Sequence, residues 1–125
     1  MEPPVRISVT SCVPGAQPGR WRVRWLIHNA TDAPFGLEDV WVPHERFRGD
    51  GHAALAATIE PGGSHLLELS VSTAGAPGTI VENAFLILRV RTENRGWRVF
   101  ARMRVEFDDS GAAQPRVETV TAQPL

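Results

Sequence analysis

The segment His44-Glu45-Arg46-Phe47-Arg48-Gly49-Asp50-Gly51-His52 brings two imidazoles and two carboxylates into nine residues, the densest gathering of metal-ligand types in the chain. Neutral imidazole nitrogens and carboxylate oxygens are what a divalent transition metal takes, and a water activated on such an ion would hydrolyse. On that reading His44, Glu45, Asp50 and His52 are the ligands of a metal-dependent hydrolase. The spacing argues against it. No H-E-x-x-H motif puts both imidazoles on one helical face. Pro43 and Gly49 mark an open loop, and ordering an open loop around an ion costs conformational entropy. A polar surface loop is the preferred reading, and no metal or other cofactor is expected. The same loop holds Arg48-Gly49-Asp50, a tripeptide found in integrin ligands but too short to carry an adhesion role. Asn29-Ala30-Thr31 has the form of a glycosylation sequon and is read instead as a turn asparagine.

Nucleophiles are scarce. Cys12 is the single cysteine, with no histidine near it in sequence to activate the thiol. No Gly-x-Ser-x-Gly elbow is present. Pro61-Gly62-Gly63-Ser64 lacks the lysine and following helix of a phosphate loop. Catalysis is therefore not expected.

Recognition chemistry is better represented. If Glu82–Thr92 and Gly96–Asp108 pair as a hairpin around Asn94-Arg95, Arg91 lies opposite Arg98, Arg89 opposite Phe100 and Ile87 opposite Arg102. Arg89, Arg91, Arg98, Phe100, Arg102 and Arg104 then share an outer face, and a neighbouring Leu37–Val42 strand adds Trp41 and Asp39. Arginine and aromatic residues are the types enriched at interface centres. Directly opposed like charges destabilise a sheet by roughly 0.2–1 kcal/mol relative to alanine, so the arginine opposition calls for a bridging anion. That anion is either a partner's acidic group or an internal carboxylate such as Asp39 or Glu106. A binding module for acidic glycan or nucleic acid is an alternative reading. Net charge of −1 from 13 basic and 14 acidic residues supplies no general pull toward nucleic acid.

These side chains are positioned by strands. Trp97 to Phe107 reads W-R-V-F-A-R-M-R-V-E-F, and such alternation of apolar and charged residues is the period-two signature of a half-buried strand. Arg20–Asn29 repeats it. Further strands are expected at Val5–Ser11, Leu37–Val42, Ala53–Ile59, Ser64–Ser72 and Gln114–Ala122, beside the two of the hairpin. Glycines and prolines fall between them. Ala53 to Ala57 favours helix by propensity, but Pro61-Gly62 leaves room for only a short one. The expectation is an all-β, antiparallel sandwich of about seven to eight strands, a single domain over residues 1–125. Its core should comprise Trp21, Val23, Trp25, Ile27, Leu86, Leu88, Val90, Trp97, Val99, Met103 and Val105. Burying each large apolar side chain contributes roughly 1.5–3 kcal/mol, enough in sum to dispense with a disulfide.

Two stretches resemble bacterial immunoglobulin-like modules. In W-R-V-R-W-L-I-H-N-A-T-D-A-P a strand ends at Asn29 and runs into Thr31 and Pro34. In L-A-A-T-I-E-P-G-G-S-H-L-L-E-L-S-V a Pro-Gly turn joins two strands. The resemblance implies the sandwich fold and a binding, adhesion or spacer role, covers about half of the chain, and lacks the buried cysteine pair of antibody domains. Apolar content of 42% and charged content of 22% are ordinary for a globular protein. All basic residues are arginine, which fits GC-rich coding as well as selection for bidentate anion contacts. No basic-then-apolar leader opens the chain, and no apolar run approaches the ~20 residues of a membrane span. With one unpaired cysteine, a soluble cytoplasmic protein-interaction or accessory module is the expectation.

Overall fold

Two inward-facing residues of one strand should be an even number of positions apart. Four pairs in this chain break that rule. Val9 and Cys12, Leu37 and Val40, Val81 and Ala84, and Val117 and Val120 are each three apart, yet every one packs on the core. A strand can do this only by inserting an extra residue. In the computed structural model, which describes residues 5–125, the pairing register breaks at each of these four places.

The ten strands are β1 (Val5–Pro14), β2 (Arg20–Asn29), β3 (Phe35–Trp41), β4 (Pro43–His44), β5 (Phe47–Arg48), β6 (Ala53–Ile59), β7 (Ser64–Thr73), β8 (Ile80–Thr92), β9 (Arg95–Phe107) and β10 (Ala113–Pro124). They form two antiparallel five-stranded sheets, ordered β1-β2-β7-β5-β4 and β10-β9-β8-β3-β6. The inner faces share one apolar core, so the fold is an all-β sandwich. Among the described residues the count is ten rather than seven to eight. The two extra strands are the two-residue β4 and β5, too short for alternation to reveal. Phe47, fully buried, pulls their hairpin into the core. Ala53–Ile59 is strand throughout: pairing with β3 and packing of Leu55 and Ala57 on the core override its helical propensity. Among the described residues no helix is long and apolar enough to cross a membrane. Met1–Pro4, where the reading of a leaderless start begins, lies outside the described residues.

Nine of the eleven expected core residues are buried. Trp21 and Trp97 are the corrections, being only half-buried. Both sit at strand ends, where an indole can cover the core margin and keep a polar contact. Trp21 Nε1 donates to Thr73 Oγ1 at 3.0 Å, and the Arg95 guanidinium lies 5.4 Å from the Trp97 ring centroid. Gly75 marks a close approach: a Cβ there would run into the Phe107 ring, which fixes the β7–β8 loop across the end of β9.

Asn29 is the one fully buried polar residue among those described. Its Nδ2 donates to the Ala33 and Ile59 carbonyls, both at 2.9 Å. Its Oδ1 accepts from the Thr31 amide at 2.9 Å and the Thr31 hydroxyl at 2.7 Å. The Asn29 backbone closes onto the Pro-Gly turn, donating to Gly63 O and accepting from Gly62 N. The two sequence stretches that resemble immunoglobulin-like modules therefore meet at this side chain. An amide so enclosed is no acceptor for glycan in the folded chain.

Candidate functional site

β3, β8 and β9 lie side by side, and their outer face carries the arginines and aromatics. The hairpin closes at Glu93-Asn94 with Thr92 opposite Arg95, one residue earlier than the expected Asn94-Arg95 turn. Gly96 supplies no turn; it lies in the strand, buried beneath Leu125, whose amide donates to its carbonyl at 2.9 Å. The register consequently differs by two. Arg91 faces Gly96, Arg89 faces Arg98, Ile87 faces Phe100 and Phe85 faces Arg102. The Arg91–Arg98 opposition is thereby corrected, and an Arg89–Arg98 opposition stands in its place. A slip of two preserves which face every side chain occupies, so the shared face survives.

The bulge in β3, where Leu37 to Asp39 lies against only Val90 and Arg89 of β8, presents two successive carboxylates, Glu38 and Asp39, to this face. Glu38 Oε1 lies 3.5 Å from Arg91 Nε and 3.8 Å from Arg89 Nε. It is screened from solvent and makes no hydrogen bond. Arg104 pairs with Glu82 at 2.6 Å and with Glu106 at 3.1 Å. Internal carboxylates thus compensate Arg89, Arg91 and Arg104. They do not reach Arg98 or Arg102: among the described residues neither has a carboxylate within ion-pair distance, and Arg102 Nε is buried without a partner. Glu38 escaped the sequence reading because strict alternation back from inward-facing Val40 and Val42 turns it into the core, and only the bulge after Leu37 brings it to the outer face.

Above the Arg89–Arg98 pair the face is concave, an open depression of about 800 Å³ walled by Trp41, Phe100, Ile87, Asp39 and His52. The Trp41 and His52 rings stack with centroids 4.4 Å apart, and His52 Nδ1 lies 2.7 Å from Asp39 Oδ2. Trp41 is 36% exposed, an indole held rigid by its neighbour yet open to a ligand. Phe100 is braced edge-on by Phe85 at 6.2 Å.

The four residues considered as metal ligands do not converge. His52 turns to Asp39, and the His44 ring accepts from the Arg46 amide at 3.0 Å. Asp50 is gripped by the Arg20 fork through two 3.0 Å contacts, and Ser70 and Ser72 hold that guanidinium from below. Glu45 is exposed. Among the described residues no three His, Cys, Asp or Glu side chains gather at one point. Cys12 is half-buried, and burial pushes its thiol up to about 11, which leaves it protonated and a poor nucleophile.

The Arg20 guanidinium holds the Asp50 carboxyl below the usual range, as Arg24 does for Glu68. Hydrogen bonds from Ser110 and Ala112 do the same for Asp108. A carboxyl with a depressed folded value stabilises above its unfolded value and loses that contribution as pH falls through the folded one. Urea midpoints should accordingly drop as pH is lowered below about 4. Asp50→Asn should fall less steeply; identical slopes would mean the Arg20 fork contributes nothing.

Three comparisons with known proteins found no match: no family model, no curated protein and no solved structure aligns with this chain.

Proposed function

We propose that the chain is an immunoglobulin-like module with a non-catalytic role, binding an acidic, extended segment of a protein partner in the depression over β3, β8 and β9. The strand order supports the module: β9-β8-β3-β6 facing β1-β2-β7 is the arrangement in which such sandwiches place their strands. The observation that carries the binding role is the Arg89–Arg98 pair, directly opposed on the floor of an aromatic-walled depression, with no carboxylate of its own at Arg98. Two guanidinium forks set side by side engage carboxylates bidentately. Trp41 and Phe100 offer flat, pre-ordered apolar surface at little entropic cost. The unpaired, partly buried Cys12 supports a reducing compartment as its setting.

The test is calorimetric titration with a Glu-rich peptide carrying aromatic residues, against a Lys-rich peptide of equal length. The acidic peptide should bind and the basic one should not. Arg98→Glu should weaken binding by at least about tenfold, since a hydrogen bond to a charged group contributes about 1.5–3 kcal/mol, and should leave the thermal transition in place. Trp41→Ala should weaken it as well. Equal binding of both peptides, or of wild type and Arg98→Glu, would refute the reading.

A further inference from the structure

Every sheet that is not closed into a barrel exposes edge backbone, and natural sheets blunt such edges with proline, charge, bulges or shortness. Three of the edges here are blunted. β1 carries Arg6, Pro14 and a bulge between Val9 and Ser11. β10 carries Pro115, Pro124, Arg116 and a bulge at Glu118. The β4 edge is two residues long and begins with Pro43, and the stretch of β7 that β5 leaves uncovered carries His65 and Glu68. β6 is the least protected. Ala-Ala-Leu-Ala-Ala-Thr-Ile has no charge, no proline and no glycine, and among the described residues it pairs with β3 alone. Its one irregularity is a break of register with β3 between Ala54 and Ala57, across which its own inward–outward alternation continues unbroken. Its outward side chains, Ala54, Ala56 and Thr58, are small and exposed.

We propose that β6 is a homodimer edge, pairing antiparallel with β6 of a second copy about a two-fold axis at Ala56. A two-fold axis obliges the strand to be complementary to itself, and the residues flanking β6 choose the register. With Ala56 opposite itself, Ala54 faces Thr58, Leu55 faces Ala57, and His52 faces Glu60 at both ends of the interface. Centring on Leu55 instead sets Glu60 against Asp50, two carboxylates, which opposes pairing. Centring on Ala57 leaves Glu60 opposite Ala54 and unpartnered. Small side chains on the outward face let the strands close to ladder distance, and the result is one continuous sheet across both copies. This inference does not rest on the peptide-binding reading. It has a consequence for it, because His52 borders the depression, so the two depressions would adjoin across the axis.

Sedimentation equilibrium of the full chain over a wide concentration range should show a reversible dimer. Ala56→Arg sets arginine against arginine on the axis and should yield monomer with an unchanged circular dichroism spectrum. Glu60→Lys should weaken dimerisation by about tenfold, as two facing contacts are lost together. Register is read by cross-linking in a Cys12→Ser background, since opposed Cα atoms roughly 4.5–5.5 Å apart lie within disulfide range. Ala56→Cys should cross-link with itself. Ala54→Cys and Thr58→Cys should cross-link when mixed and poorly when alone. A wild-type chain that stays monomeric, a dimer that survives Ala56→Arg, or Ala54→Cys cross-linking as well alone as mixed would each overturn the proposal.

Discussion

Trp25→Ala is expected to lower the unfolding free energy by ~3–5 kcal/mol, the cost of emptying a large buried aromatic site that its neighbours cannot collapse into. Trp25 is fully buried at the middle of β2 and reaches across the sandwich, its Nε1 lying 3.4 Å from Met103 Sδ on β9. Its removal therefore withdraws contacts from both sheets at once, and the walls around it are strands pinned on each side by their ladders. Trp41→Ala should behave quite differently. That indole lies on the outer face, stacked on His52 and open to solvent, and its loss should cost under about 1 kcal/mol. Urea denaturation of the two variants beside wild type gives the comparison. A larger loss at Trp41 than at Trp25 would mean that the outer face, not the space between the sheets, holds the domain together.

How much of this was legible in the residues depends on what a period of two can and cannot carry. Long strands announce themselves: Trp97 to Phe107 and Arg20 to Asn29 alternate because each has one buried and one wet face, and both lie where expected. Face membership was legible for the same reason. Arg89, Arg98, Phe100, Arg102 and Trp41 share the outer face whether the hairpin closes at Glu93-Asn94 or one residue later. Which of them oppose each other was not legible, because the turn alone sets it, and Gly96 in the sequence offered a plausible turn residue that the fold uses as a strand residue beneath Leu125. The bulges were hidden from a reading by strict alternation, yet they left a mark. Leu37 and Val40 cannot both face inward in a regular strand, and that three-residue interval is what brings Glu38 round to Arg89 and Arg91. The loop from His44 to His52 misled for a different reason. Ligand residue types close in sequence need not be close in space, and Arg20, thirty positions away from Asp50, claims that carboxylate first.

Asn29→Asp is expected to destabilise the fold at neutral pH by at least as much as Asn29→Ala, although it is the closer isostere. The side-chain amide is fully buried, gives both N–H groups to the carbonyls of Ala33 and Ile59, and accepts from Thr31 at its oxygen. Alanine abandons four contacts and leaves buried groups without partners, each costing about 1–3 kcal/mol, so a loss of roughly 2–5 kcal/mol follows. A carboxylate keeps the Thr31 contacts but sets a charged oxygen where the amide donated, facing two carbonyl oxygens in a site closed to water. Burial and those carbonyls both disfavour the charged form, so the introduced carboxyl should titrate well above its unfolded value in the folded protein. The sign then follows from linkage. Below about 4, the carboxyl is protonated in both states, and its hydroxyl can restore one of the two lost donations. As pH rises from there toward the raised folded value, the unfolded state ionises first and the deficit against wild type widens. Asn29→Ala has no such group, and its deficit should stay level over the same interval. Thermal or urea melts of the three proteins from pH 4 to 8 test this directly. A deficit for Asn29→Asp that does not change with pH would show that water reaches the side chain, and that the turn between β2 and β3 is not sealed against the Pro61-Gly62 turn as described.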